Sequence, residues 1–300
     1  MVTIATHEAK YIEPQVDLIW KVTDKWKYGY QTSYETVRNA YLRDGFDPKS
    51  RFYAFDGEEL VGFAGVNISE NSEKEKIGSM RLPIAIDGDM EIIQSLIDRI
   101  ESYLKDKGAS KIRAPSGVGL GNTIEVAEKL GFVQGPEVFR RTYTDVKDLK
   151  ISGKTDDVTA FTENDKEDIR NLFMTQMGMP EAQGEGFFNW ALNNHERKNK
   201  NKPNSSSWQI IRSEDGIQGF SFLMKSDHLP WIANSMPIFF KGEGDKARDI
   251  IDQLLSAHLK TLDGVKVVGN YLLPNLYKLE GLYNSFGYTF DPSYMNTKDL

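Results

Sequence analysis

The sequence predicts an α/β protein made of two tandem copies of one mixed, mostly antiparallel sheet flanked by helices. Three observations predict it. The segment Leu60-Val61-Gly62-Phe63-Ala64 returns as Ile217-Gln218-Gly219-Phe220-Ser221, an offset of 157 (219 − 62). Lys129-Leu130-Gly131-Phe132 returns as Ser285-Phe286-Gly287-Tyr288, an offset of 156 (287 − 131), and similar spacing over half a chain marks duplication. Within each copy, early amphipathic helices lead to paired strands, a long helix, another strand, a short helix and closing strands.

In the first copy, residues 16–26 and 34–41 read as helices, and residues 51–55 and 59–68 as a hairpin about Asp56-Gly57. Residues 77–86 read as a central strand. The next helix sets Ile92, Ile93, Leu96, Ile97, Ile100 and Leu104 on one stripe and ends near Gly108. A strand around Ile112 and a short helix over 123–130 follow, and Gly117-Val118-Gly119-Leu120-Gly121 between them reads as a flexible turn. In the second copy, helices are expected at 163–177 and 186–194, with residues 198–205 as a solvated loop. Strands are expected at 208–212, 218–224 and 231–240, then a helix burying Ile250, Ile251, Leu254, Leu255, Leu259 and Leu262, and a strand over 266–271. The polar stretch 148–156 is the linker candidate, so the domains are taken as 1–153 and 154–300, a size that suits two cores in 300 residues.

Composition narrows the function. With 39% hydrophobic and 27% charged residues the chain reads as an ordinary soluble protein, and no run approaches the roughly 20 apolar residues of a membrane span. No basic region followed by an apolar one opens the chain, so a cytoplasmic location without membrane association is expected. The absence of cysteine excludes disulfides, thiolate metal sites and a cysteine nucleophile. No two histidines stand at a metal-ligand spacing beside a carboxylate, so no metal is expected. A net charge of -7 argues against nucleic acid as the partner. The sequence is compatible with a monomer or a homodimer.

The two copies differ where chemistry would sit. Leu82-Pro83-Ile84 matches Met236-Pro237-Ile238 at 154 (237 − 83), whereas Ile92-Ile93 matches Ile250-Ile251 at 158 (250 − 92). The second copy therefore carries four extra residues, within Lys241-Gly242-Glu243-Gly244-Asp245-Lys246. A glycine turn between a strand and a helix presents unpaired N–H groups at the positive end of the helix dipole, which suits a phosphate; an ordinary helix start with Asp245 as N-cap is the alternative.

With that loop, the chain resembles the Gcn5-related N-acetyltransferase superfamily, whose Gln/Arg-x-x-Gly-x-Gly/Ala pattern aligns with Phe239-Phe240-Lys241-Gly242-Glu243-Gly244. Leu282-Tyr283-Asn284-Ser285-Phe286-Gly287-Tyr288 resembles the family's Leu-Tyr-x-x-x-Gly-Phe segment. The resemblance implies that Phe239, Phe240, Lys241, Gly242, Glu243, Gly244, Asp245 and Lys246 cradle the coenzyme A pyrophosphate. It implies that Tyr283 protonates the departing thiolate and that Asn275, offset by one position, contacts the cofactor. Asp227 and His228 are the candidate bases for the attacking amine, and His258, on the apolar stripe, is expected to be a hydrogen-bonded core residue. The aromatic segments 20–30 and 187–190 are expected to border an acceptor pocket.

Three features depart from the family pattern: Phe239 replaces its leading Gln or Arg, Glu243 and Asp245 stand beside the intended anion, and Asn275 is displaced. Ala127 stands where Tyr283 does, so the first copy is expected to be catalytically silent. The expected function is transfer of an acyl group, first of all acetyl, from acyl-coenzyme A (acetyl-CoA) to a small-molecule or peptide amine by the second copy. A non-catalytic ligand-binding or regulatory protein is the alternative. An aminoacyl transferase using charged transfer RNA is a third reading, against which the acidic balance counts.

Overall fold

A strand with one buried face must alternate, and Glu59–Glu70 does so, burying Leu60, Gly62, Ala64 and Val66 in turn. The computed structural model describes residues 2–29 and 31–300; Tyr30, part of the first aromatic segment, lies outside them. The chain forms two units, one of residues up to Val138 together with Asp291–Leu300, the other Phe139–Phe290.

In the first unit the order is β1 (Val2–Thr6), α1 (Ile12–Thr23), α2 (Tyr34–Tyr41), β2 (Arg51–Asp56), β3 (Glu59–Glu70), β4 (Lys76–Met80), β5 (Ile84–Ala85), α3 (Met90–Asp106), β6 (Lys111–Gly117) and α4 (Thr123–Lys129). The next strand, β7 (Val133–Asp145), begins in the first unit and passes into the second. The second unit then has β8 (Val158–Ala160), α5 (Lys166–Met177), α6 (Glu181–Asn201), β9 (Ser206–Ser213), β10 (Gly216–Lys225), β11 (Ile232–Ser235), β12 (Phe239–Phe240), α7 (Gly244–Thr261), β13 (Val267–Leu272) and α8 (Glu280–Ser285). The last strand, β14 (Asp291–Asp299), pairs antiparallel with β6.

Each unit contains a parallel pair, β4 with β6 and β11 with β13, and the long helix between the two strands supplies the crossover that a parallel pair requires. In the first unit the strand order is β1-β2-β3-β4-β6-β14; in the second it is β7, from Arg140 on, then β13-β11-β10-β9-β8. The mixed α/β class is as the sequence implies. The repeat boundary near Lys154 does not coincide with the division into units. Strand β14 completes the first unit, and the strand that closes the first repeat contributes residues 140–145 to the second.

The repeated motifs are packing devices. A Cβ on Gly62 would stand 2.6 Å from Ile92, and one on Gly219 would stand 2.5 Å from Ile250, so both glycines let a long helix lie close on its strand. Gly131 and Gly287 adopt φ of 76° and 94° just after α4 and α8, where a side chain would be strained. There Phe132 N–H returns to Ala127 and Tyr288 N–H to Tyr283, which confirms these two positions as equivalents.

Four elements differ from expectation. Residues 77–86 are broken between β4 and β5, around Pro83, which has no N–H to give a ladder. Helix α6 runs on to Asn201, and Lys198 is held by Asp227 at 2.7 Å, so much of the basic tract is helical. The residues between β6 and α4 form a packed turn, in which Gly119 accepts from Tyr28 N–H at 2.9 Å. The polar stretch 148–156 is a docked strap. Leu149 lies in the second core, Lys150 N–H reaches Phe286, and Ser152 N–H meets Asp252 of α7 at 2.7 Å.

Among the described residues no helix is long and apolar enough to cross a membrane. His258 is buried as expected, with Nε2 2.6 Å from Ser221 Oγ. Burial lowers its pKa to about 3, against the weaker opposing effect of Ser221. Between pH 6.5 and 3 the unfolded chain therefore binds a proton there that the folded chain refuses, and stability falls as pH drops through that window. His258→Gln should reduce the slope of unfolding free energy between pH 6 and 4 by up to about 1.4 kcal/mol per pH unit, measured by urea unfolding.

Candidate functional site

Parallel strands β11 and β13 pair at Ile232–Val267, Ala233–Val268 and Asn234–Gly269, and there the pairing ends. Strand β13 continues to Leu272, held on its other side by β7, with Tyr271 opposite Arg141 and Gly269 opposite Tyr143. The parting strands open a cavity of about 410 Å³ lined by Arg141, Tyr143, Asn234, Ser235, Asn270 and Tyr271, among others. Gly269 is required here, because a Cβ would collide with the Tyr143 ring and Asn234.

Asn270 is 3% exposed, and its Nδ2 has no hydrogen-bond partner among the described residues. A buried amide without a partner costs stability, so this donor is suited to a carbonyl or anion entering the cavity. Tyr283 is equivalent to Ala127 of the first unit and is 0% exposed. Its hydroxyl accepts from Ile238 N–H at 2.7 Å, in the segment that joins β11 to β12. Burial raises its pKa, although the Ile238 N–H and the Asn270 side chain pull the other way. The phenol therefore keeps its proton at ordinary pH, as an acid must before it acts.

The glycine loop takes another form than expected. Helix α7 begins at Gly244, six residues before Ile250, whereas α3 begins at Met90, two before Ile92. The four extra residues thus form an added first turn of helix, not a longer loop. The N-cap is Glu243 rather than Asp245, and it makes no side-chain cap hydrogen bond, while Asp89 caps α3 through Glu91 and Ile92 N–H. Gly242 and Gly244 hold φ of 99° and 57°. The first N–H groups of α7 thus have no side-chain cap, as an anion site requires.

The side chains of Phe239 and Phe240 are core residues, and Phe239 packs on Phe173 and Phe220. Their backbone is engaged too: Phe240 N–H meets Gln176 and Lys241 N–H meets Gln218. Lys246 Nζ is bound to Gln218 Oε1 at 2.8 Å. The groove before the loop carries Asp168, Asp215 and Glu243 against Lys241, a charge balance that opposes an anion.

Asp227 and His228 are not brought to this site. Phe220 lies opposite Phe239 and Lys225 opposite Ala233, so Asp227 stands roughly 23 Å along β10 from the loop end, at the far end of the central strand. Asp227 is ion-paired with Lys198, and although burial acts to raise its pKa, that partner leaves it lowered, which makes it a poor base. Asn275 is a structural residue: its Nδ2 donates to the carbonyls of Gln176 and Met177 at 3.1 and 2.8 Å, capping α5. Of the aromatic segments, Phe188 is buried in the second core, and Trp190 is exposed. Among the described residues no group of acidic or histidine side chains could hold a metal.

The sequence reading missed Arg141, Tyr143, Asn234 and Asn270. Arg141 and Tyr143 lay before the expected domain boundary. A sequence signal existed for Asn270, since glycine and asparagine interrupt the apolar run 267–273.

No protein-family model and no curated protein sequence matches the chain. Solved structures do. A tandem GNAT protein from the clavulanic acid biosynthesis pathway matches with a TM-score of 0.70 and 10% identity, over 100% of this chain and 98% of that one. A GCN5-related N-acetyltransferase from Sphaerobacter thermophilus matches at 0.66 and 13% identity, covering 99% and 95%. An acetyltransferase of the GNAT family from Colwellia psychrerythraea matches at 0.61 and 13%, covering 99% of each chain. The chain has the tandem Gcn5-related N-acetyltransferase fold.

Asn275→Ala should lower stability by about 1 kcal/mol through the lost cap on α5 and leave coenzyme A affinity unchanged, as thermal unfolding and calorimetry together would read.

Proposed function

We propose that the protein transfers an acyl group, in the first instance acetyl, from acyl-coenzyme A to an amine of a small molecule or peptide, at the cavity where β11 and β13 part. The observation that carries this reading is a buried amide on the cavity wall, Asn270, beside a buried, protonated phenol, Tyr283, on which that amide acts. The fold supports the same class of chemistry. In the reaction the amine nitrogen attacks the thioester carbonyl carbon and the carbon–sulfur bond breaks. The sulfur takes the Tyr283 proton, and the ammonium formed on nitrogen gives one up to solvent. In this reading Asn270 Nδ2 donates to the carbonyl oxygen as its charge grows. The uncapped first turn of α7, with Gly242 and Gly244, receives the pyrophosphate.

A second reading rests on a specific observation. Tyr283 is sealed, and Asp168, Asp215 and Glu243 face the loop groove, which favours a ligand-binding protein without turnover. Two measurements separate the readings. Calorimetric titration with acetyl-CoA should give binding that Gly242→Val with Gly244→Val removes; absence of binding to the unaltered protein excludes the transferase. Tyr283→Phe should lower thiol release against a panel of amines by about a hundredfold or more with binding intact, and unchanged turnover removes Tyr283 from the mechanism.

A further inference from the structure

A cavity of the first unit, about 600 Å³, lies between helices α1 and α2 and strands β3 and β4. Among the described residues its lining includes Arg51 and no aspartate or glutamate, in a chain whose net charge is -7. Arg51 Nη1 donates to the carbonyl of Val66 at 2.7 Å and Nη2 donates to Asn67 Oδ1 at 2.8 Å. The guanidinium also lies over the rings of Tyr41 and Phe46, at 5.5 and 5.4 Å. These neutral partners fix the fork without cancelling its charge; among the described residues no carboxylate pairs with Arg51.

A second polar group points the same way. Gln15 is 3% exposed, and its Oε1 accepts from the hydroxyls of Tyr53 and Tyr41 at 2.8 and 3.0 Å. Gln15 also lines the cavity, which brings its amide within reach of a ligand there. An amide on the cavity wall and a fixed guanidinium without a carboxylate partner recognise an anion. The remaining walls, with Ile19, Phe63, Met80, Leu82 and Ile84, are apolar and suit the body of an organic molecule rather than a bare inorganic ion.

We propose that the first unit, silent as a transferase, is a binding site for a small organic carboxylate whose apolar body fills this cavity while Arg51 and Gln15 hold its carboxyl group. The site is independent of the acyl-transfer reading and is tested without coenzyme A. Full-length protein is titrated calorimetrically with 2-naphthoate, with 2-naphthamide and inorganic phosphate as controls. Saturable naphthoate binding is expected, with the neutral amide about tenfold or more weaker and phosphate not bound. Ala40→Trp, which fills the cavity from α2 without touching either polar group, should remove binding, and Arg51→Gln should weaken it about tenfold. Folding of both variants is followed by thermal unfolding. Should Arg51→Gln unfold the unit, Ala40→Trp alone decides. No saturable naphthoate binding, equal binding of the amide, phosphate binding as tightly as naphthoate, or full binding in Ala40→Trp each overturns the proposal.

Discussion

Both units depend on one close approach, a long helix laid on a strand at a glycine. A methyl group at Gly62 or Gly219 would push Ile92 or Ile250 away, and with it the stripe that buries Leu96, Ile97 and Ile100, or Leu254 and Leu255. Each such side chain contributes roughly 1.5–3 kcal/mol on burial, so the approach governs most of the core. The same helix is the crossover between the two parallel strands of its sheet. Its seating therefore fixes the parallel pair, and in the second unit that pair parts to make the cavity at Asn270.

From this shared frame the units diverge at two places. In the first, Asp89 caps α3 and Ala127 fills the position beside the sheet with a methyl group. In the second, α7 starts one turn earlier with no side-chain cap, and a phenol stands where that methyl group was. The added turn moves the positive end of the helix toward the end of β12, and the phenol brings a hydroxyl to the segment that joins β11 and β12. The two changes flank β12, the phenol before it and the added turn after it.

Much of the fold was legible in the sequence because it is written in periodicity and glycine. The buried stripes of α3 and α7, the hairpins and the C-caps at Gly131 and Gly287 follow from local rules. The units were not legible, because pairing of β14 with β6 joins residues far apart in the chain and leaves no local pattern. The site was legible in part. Gly242, Gly244 and Tyr283 form a spaced motif, whereas Asn270 gains its meaning only from the partner it lacks. Asn275 shows the converse: a residue type in nearly the expected place serves as a cap, since an amide serves a helix end as readily as a ligand.

The burial of Tyr283 bears on how any reaction there must begin. A phenol with no exposure, bonded to a backbone N–H, cannot meet a sulfur atom until something moves. The strap over 148–157 is anchored largely by hydrogen bonds. Leu149 enters the core and Ile151 packs against it, and the polar remainder is held by hydrogen bonds to Phe286, Asp252, Ser256 and Gln253. Such bonds exchange for water at small net cost, about 1 kcal/mol each, whereas shifting α7 would disrupt the helix-on-glycine contact that holds the unit. Magnitude thus favours the strap over the seated helix as the part of this unit that gives way first.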